Sequence, residues 1–326
     1  MNGPNRLFVV GNAVSDLTLM VERAPHAGES ILADHMQRAP GGKGLNQAVA
    51  AHRAGAAVVF QATIGDDGEG SDIAGRLAAE RMYELRLTRH ALPTDLSVLT
   101  VARSGENAII TTAGCTRALS ATTLVAQVAD ITAADTLLMQ GNLSLECSRA
   151  VIDHARAAGA KVMVNAAPWC WPDTSALALC EGVVANEGEI CAIAGVDDPE
   201  LGAAQLLAQG PRWVIVTLGA RGALVARGDE RLHLPAAAVV PVDTSGAGDV
   251  FCGVLAALYT RAVPFLHAIE CAQHAAAITV GRPGTFSAIP SADEIRHVIR
   301  TTTGRAAAHN TTNDVLVWTG SFNQGN

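Results

Sequence analysis

Apolar positions along the chain alternate between two spacings. Continuous short runs at 7–10, 58–64, 136–140, 161–165, 183–185 and 213–217 have the length and branched aliphatic content of strands buried on both faces. Between them, apolar residues recur every three or four positions at 43–54, 70–81, 120–129, 145–158, 187–194 and 199–209, which predicts helices. Further helices are predicted at 249–260, 264–279 and 292–300. Strands separated by helices pair in parallel, because the chain needs a long crossover to return to the same end of the sheet. The expected class is α/β, with a mostly parallel sheet covered by helices. Two regions break this rhythm: residues 12–39, and residues 97–112, which read as a hairpin turning at 104–107. Together they predict a small separate sheet.

Composition narrows the class of function. The chain has 326 residues and 49% hydrophobic content, enough for one large or two smaller domains with a sizeable core. Its net charge is −8, it has no basic run and only 4% aromatic residues, so no nucleic-acid partner is expected. The seven cysteines (115, 147, 170, 180, 191, 252 and 271) are odd in number and form no C-x-x-C pair, as expected of free thiols in a reducing compartment. There is no apolar run of membrane length and no signal-like start, so the expectation is a cytoplasmic protein without a membrane partner.

Two glycine-rich segments carry the chemistry. In Pro241-Val242-Asp243-Thr244-Ser245-Gly246-Ala247-Gly248-Asp249-Val250-Phe251, glycines precede a helix whose first turn holds a carboxylate. Glycines let successive backbone N–H groups converge, and the positive end of a helix favours an anion at the same point. Asp249 reads either as a dipole-compensating residue or as a base on an attacking hydroxyl. The second segment, Pro40-Gly41-Gly42-Lys43-Gly44-Leu45-Asn46-Gln47-Ala48, opens a helix but lacks the spacing of a Walker A loop.

Taken together, these two segments resemble the paired motifs of the ribokinase-like (PfkB) carbohydrate kinases, most closely the ribokinase branch. The resemblance extends over roughly residues 7–298, through Phe8-Val9-Val10-Gly11, Gly65-Asp66-Asp67-Gly68, Asn186-Glu187-Gly188-Glu189, Thr217-Leu218-Gly219-Ala220-Arg221-Gly222 and Gly281-Arg282-Pro283-Gly284. It implies a three-layer α/β/α kinase domain over residues 1–300, with a β-sheet lid from about 12–39 and 97–112 that often pairs two subunits into a homodimer. The tail, 301–326, lies outside the match and has no assigned role.

The resemblance also implies roles. Asp249 would be the base, with Gly246, Ala247 and Gly248 forming an anion hole for the transferred phosphoryl group. Asp16, Gly42, Lys43, Asn46 and Asn142 fall at acceptor positions. Asn186 and Glu189 match a motif that positions Mg²⁺ largely through water, and equally form a helix-capping pair. Thr217, Gly219, Gly222 and Gln273 fall on the nucleotide side. Asp243 matches a residue that binds a monovalent cation, K⁺, with carbonyls of 279–288. The implied reaction is transfer of the γ-phosphoryl group of ATP to a hydroxyl of ribose or a related sugar. Ribokinase-branch members have Asn where this chain has Val14 and Glu where it has Asn142, which shifts the expected acceptor. A nucleoside kinase of the same family and a catalytically silent sugar- or nucleotide-binding sensor stand as alternatives.

Overall fold

The computed structural model describes residues 4–103, 107–308 and 316–317. In chain order the strands are β1 (Arg6–Val10), β2 (Val14–Val21), β3 (His35–Gly41), β4 (Ala57–Gly65), β5 (Glu84–His90), β6 (Leu96–Ala102), β7 (Asn107–Thr111), β8 (Thr136–Gln140), β9 (Lys161–Asn165), β10 (Gly182–Asn186), β11 (Trp213–Thr217), β12 (Ala223–Arg227), β13 (Glu230–Leu234) and β14 (Leu316–Val317). The helices are α1 (Lys43–Arg53), α2 (Gly68–Glu80), α3 (Ala121–Ala126), α4 (Leu145–Ala157), α5 (Glu187–Ala194), α6 (Pro199–Ala208), α7 (Ala247–Thr260), α8 (Phe265–Val280) and α9 (Ala292–Ala308).

Among the described residues the main sheet has the order β14-β13-β12-β11-β10-β9-β8-β1-β4-β5. Strands β11 through β5 run parallel, and β12, β13 and the two-residue β14 extend the β11 edge antiparallel. The parallel strands are buried because each face has its own helical layer. One core packs α1, α2, α7, α8 and α9 against residues such as Leu7, Val58 and Ile215. The other packs α3, α4, α5 and α6 against Phe8, Leu137 and Val214. The alternation along β1 (Leu7 and Val9 to one face, Phe8 and Val10 to the other) follows from the two-residue period of a strand.

Local chemistry sets the helix starts. Asp67, Ser120, Ser144 and Asp198 accept first-turn backbone N–H groups, and Pro199 occupies the first helical position of α6. Helices α1 and α7 cross closely at Gly253, where a Cβ would stand 2.4 Å from the Gln47 carbonyl oxygen and 2.9 Å from the Ala50 Cβ.

The separate sheet expected from 12–39 and 97–112 is present, in the order β3-β2-β6-β7. Strands β2 and β6 pair in parallel, with β3 and β7 antiparallel at the two edges. Of the hairpin turn expected at 104–107, residues 104–106 lie outside the described residues and Asn107 begins β7, which pairs antiparallel with β6. The structure adds four strands not expected from the sequence, β5, β12, β13 and β14, and α9 continues past residue 300 to Ala308. Of the tail beyond α9, only residues 316–317 lie among the described residues.

Candidate active site

All the parallel strands point their carboxyl ends the same way, which is where open α/β sheets place their ligands. Asn12 follows β1, Gln140 ends β8, Asn165 ends β9, Asn186 ends β10 and Thr217 ends β11. The small sheet contributes Asp16, Ser97 and Thr111 to the walls of a cavity of about 400 Å³ that also takes in Lys43, Asn46 and Asp249.

Asp249 is the third residue of α7, and its carboxylate is buried. Asn46 Nδ2 donates to Oδ2 at 3.2 Å, and Gln47 Nε2 donates to Oδ1 at 3.1 Å. Gln47 Nε2 also donates to Asn165 Oδ1 at 3.0 Å, while Gln47 Oε1 accepts from Gln140 Nε2 at 2.9 Å. Asn165 Nδ2 in turn donates to the Val184 carbonyl at 3.2 Å. Two neutral amides of α1 thus fix the two oxygens of one carboxylate, and amides ending β8 and β9 hold Gln47 in place. Lys43, the first residue of α1, feels the same group: the Asp249 charge chiefly, with Glu189, raises its pKa against the opposing effect of burial.

Two helix N-termini meet at this cavity. Gly42 caps α1 with φ 99° and Gly246 caps α7 with φ 77°, both without a side-chain cap, and both line the cavity. Positive φ explains why these positions are glycine. The first-turn N–H groups of a helix lack intrahelical partners. In α1 they are taken up by Asn12, whose side-chain oxygen accepts from Gly44 N at 3.1 Å and whose carbonyl accepts from Leu45 N at 3.0 Å, so the start of α7 is the end suited to an anion. Asp243 braces it: one carboxylate oxygen accepts from Ser245 N at 2.8 Å and the other from Gly284 N at 2.9 Å.

Asp16 on β2 is 5% exposed, and its Oδ2 accepts from Thr285 Oγ at 2.7 Å. Burial is the main cause that pushes its carboxyl up to about 6; the Asp249 charge adds to this, and hydrogen bonds from Thr285 and Ser97 oppose it. Asn46 Oδ1, Asn142 Oδ1 and Thr116 Oγ are buried in the same region without a hydrogen-bond partner among the described residues. Buried oxygens in that condition favour a hydroxyl-rich ligand that can donate to them.

On the other side of Lys43, Asn186 and Glu189 form a reciprocal capping box at the start of α5, with both bonds 2.8 Å long. Burial raises the Glu189 pKa, and the charges of Lys43 and Asp249 also reach it, so the three form one electrostatic cluster. Thr217 lies opposite Asn186 in the β10–β11 register, and Gly219 begins the turn after it with φ 59°. Gly222 is glycine for a packing reason, since a Cβ would lie 2.0 Å from the Leu234 carbonyl oxygen. Gln273 on α8 donates to that same carbonyl at 3.2 Å, outside the Asp249 cavity.

A family model described as pfkB family carbohydrate kinase matches residues 4–292. The chain belongs to this family. As a pfkB kinase it is a phosphotransferase with an alcohol group as acceptor and ATP as donor. It is 33% identical over 294 residues to the ribokinase of Haemophilus influenzae, spanning 88% of this chain and 96% of that protein. Its fold matches the ribokinase of Thermotoga maritima with a TM-score of 0.79 at 28% identity, over 91% of this chain and 99% of that one. The ribokinase of Arabidopsis thaliana complexed with ribose and ATP has the same fold, with a TM-score of 0.79 at 23% identity, over 91% and 99% of the two chains.

In this pfkB kinase the structure brings Asp16, Gly42, Lys43, Asn46, Asn142, Gly246 and Asp249 around one cavity. Val14 is fully buried and is not among the residues of the cavity wall. The motifs did not point to Asn12, Gln47, Gln140, Asn165, Arg117, Cys170 or Thr285. Gln47 was adjacent to Asn46 in the same motif, whereas Gln140 and Asn165 each close a mostly apolar run, which by itself does not tell a buried partner from solvent.

Proposed function

We propose that this kinase transfers the γ-phosphoryl group of ATP to a hydroxyl of ribose or a related small sugar, with Asp249 as the base. The observation that carries the reading is the Asp249 carboxylate, pinned by two amides at the point where two glycine-capped helices meet a polar cavity. Asp249 takes the proton of the acceptor hydroxyl, the oxygen bonds to the γ-phosphorus, and the bond from phosphorus to the bridging oxygen of ADP breaks. N–H groups of Gly246, Ala247 and Gly248 meet the charge on the transferring group, a form of catalysis built from position and electrostatics. Asp16, Gly42, Lys43, Asn46 and Asn142 hold the sugar. Asn186, Thr217, Gly219, Gly222 and Gln273 belong to the nucleotide side. Asp249→Asn is expected to retain fold and ATP binding and lose about a hundred-fold or more in kcat, measured by ATP-coupled turnover. Near-normal turnover removes Asp249 from the mechanism.

Mg²⁺ belongs to the same reading. No group of three acidic, histidine or cysteine side chains able to hold a metal occurs among the described residues. Mg²⁺ keeps several of its waters when bound, so Glu189 and Asn186 would act as outer partners of an ion held by phosphates and water. A monovalent cation at Asp243 and the 279–288 carbonyls would brace the anion turn further. Potassium is then expected to raise activity over sodium at equal ionic strength, and indifference to the cation refutes it.

The domain is taken as residues 1–300, with the lid at about 12–39 and 97–112; the tail at 301–326 has no assigned role. The lid carries Ile110 at 77% and Met36 at 59% exposure, apolar surface suited to pairing in a homodimer. A monomer by sedimentation at micromolar concentration would count against that. No helix among the described residues is long and apolar enough to cross a membrane, and a cytoplasmic location without membrane or nucleic-acid partners is part of the proposal. The nucleoside-kinase alternative drew on Val14, which lies outside the cavity, and no other observation favours it.

A further inference from the structure

The charged groups around the acceptor cavity are Asp16, Lys43, Asp249 and Arg117. Three of them are accounted for. Lys43 is matched by the charges of Asp249 and Glu189, Asp249 is bound by two amides, and Asp16 is bound by Thr285. Arg117 is different. Its Nε donates to the Asn142 carbonyl at 3.0 Å, which anchors the side chain at the wall and leaves the two terminal nitrogens to other partners. Several arginines of this molecule close on acids, among them Arg6 on Asp130 and Asp135, Arg53 on Glu80, and Arg86 on Glu84 and Asp130. Among the described residues Arg231 and Arg261, like Arg117, bond only carbonyls, and what sets the exposed Arg117 apart from them is its place on the wall of the acceptor cavity. None of the ion pairs among the described residues includes Arg117.

A guanidinium anchored through Nε presents a planar fork of donors, the geometry that matches a carboxylate or phosphate in a bidentate pair. The cavity wall that holds it also contains Asn142 and Thr116, whose buried oxygens await donors. Hydroxyls on one part of an acceptor would satisfy those oxygens. An oxyanion on another part would satisfy Arg117. A volume of about 400 Å³ lies near the small end of ligand pockets, which suits a single monosaccharide-sized molecule.

We infer that the preferred acceptor is a small sugar derivative carrying an oxyanion, a carboxylate or a phosphate, which Arg117 binds while a hydroxyl of the same molecule lies at Asp249. The inference rests on the kinase reading above and names the substrate class of that site. A neutral sugar would use the floor of the cavity and leave the guanidinium to water, whereas an acid would use both. The carboxylate and phosphate forms share one chemistry at Arg117 and separate in the assay.

The experiment is a comparison of kcat/KM with ATP for ribose, a six-carbon aldonate, a 2-ketoaldonate and a pentose phosphate, in the wild type, Arg117→Gln and Arg117→Lys. At least one acid is expected to exceed ribose by about ten-fold or more, and whether it is a sugar acid or a sugar phosphate identifies the oxyanion. Arg117→Gln is expected to lower the ratio of the best acid to ribose by about ten-fold or more, mainly through KM. Arg117→Lys keeps the charge but loses the fork, so it should fall between the two. Thermal midpoints of the variants show whether each is folded. Ribose preferred over every acid, or an Arg117→Gln effect equal on both classes, overturns the inference while leaving the kinase reading intact. Absence of phosphorylation of any acceptor by the folded wild type overturns both.

Discussion

Asp16 and Asp249 face one cavity but are held differently: Asp249 by amides of α1 near Lys43, Asp16 by the hydroxyls of Thr285 and Ser97, with burial pushing its carboxyl up to about 6. Ionised Asp16 can accept acceptor hydroxyls, and protonated Asp16 loses most of that capacity. The KM for the acceptor is therefore expected to rise as pH falls below about 6, with kcat changing less. Asp16→Asn should flatten this acid arm while raising KM at neutral pH; an acid arm that persists in the variant assigns it to another group. The folding linkage has a definite sign. Because the native value lies above the unfolded value of about 4, the native state binds the extra proton between the two, so this residue's contribution to stability is full below about pH 4 and declines as pH rises towards 6. Gln47 supports a second residue-scale prediction. Gln47→Glu sets a second carboxylate beside Asp249, which raises the pair's apparent pKa, so the pH profile of kcat should shift upward and neutral activity fall about ten-fold or more. A lower kcat with an unmoved profile would show that Gln47 only packs.

The amide reaches Asp249 because two helices come unusually close. At Gly253 the backbone of α1 occupies the space a side chain of α7 would need, so Gly253→Ala must part the helices or strain them. Overpacking of this kind costs about 1–3 kcal/mol, and the same displacement pulls Gln47 from the carboxylate. A fall in both thermal midpoint and kcat is expected, measured by calorimetry and turnover; loss of stability with intact kcat would uncouple the crossing from the site. The elements that were legible in the sequence are those whose burial leaves one kind of residue. Strands β1, β8, β9 and β11 are covered on both faces and show as unbroken apolar runs. Strand β5, Glu84-Leu85-Arg86-Leu87-Thr88-Arg89-His90, is the sheet's edge: four of its seven residues are charged or imidazole, so it carries no such run. Strands β12 and β13 extend the opposite side as a short hairpin with polar ends, Arg227 and Glu230, which obscures them in the same way. The motif glycines were legible because a backbone at positive φ restricts residue type, as at Gly42 and Gly246. Gln140 and Asn165 were not assigned because a polar residue closing an apolar strand has the same sequence whether it meets solvent or a buried partner.

At the scale of the whole molecule, one loop joins the parts that must act together. Gly284 donates to Asp243 beneath the anion turn, and the next residue, Thr285, donates to Asp16 on the lid strand β2. The small sheet and the turn before α7 are thus tied through two adjacent residues, and if that sheet acts as the proposed lid, the tie would couple its position to the phosphoryl site. That tie was invisible in the sequence, where Asp16 and Thr285 stand far apart and each has an ordinary local reason to be polar. Cys170 lies exposed on the wall of the same cavity. The thiols of Cys115, Cys180, Cys252 and Cys271 are buried, and burial pushes each of them up, which slows their reaction with an electrophile. A small alkylating probe should therefore label Cys170 ahead of the buried four, and mass mapping of the labelled peptides would check this. Cys170 thereby serves as a footprint of occupancy that needs no turnover. In Asp249→Asn, where product formation reports nothing, a bound acceptor should still slow labelling of Cys170, and a compound that leaves the rate unchanged is not seated in the cavity.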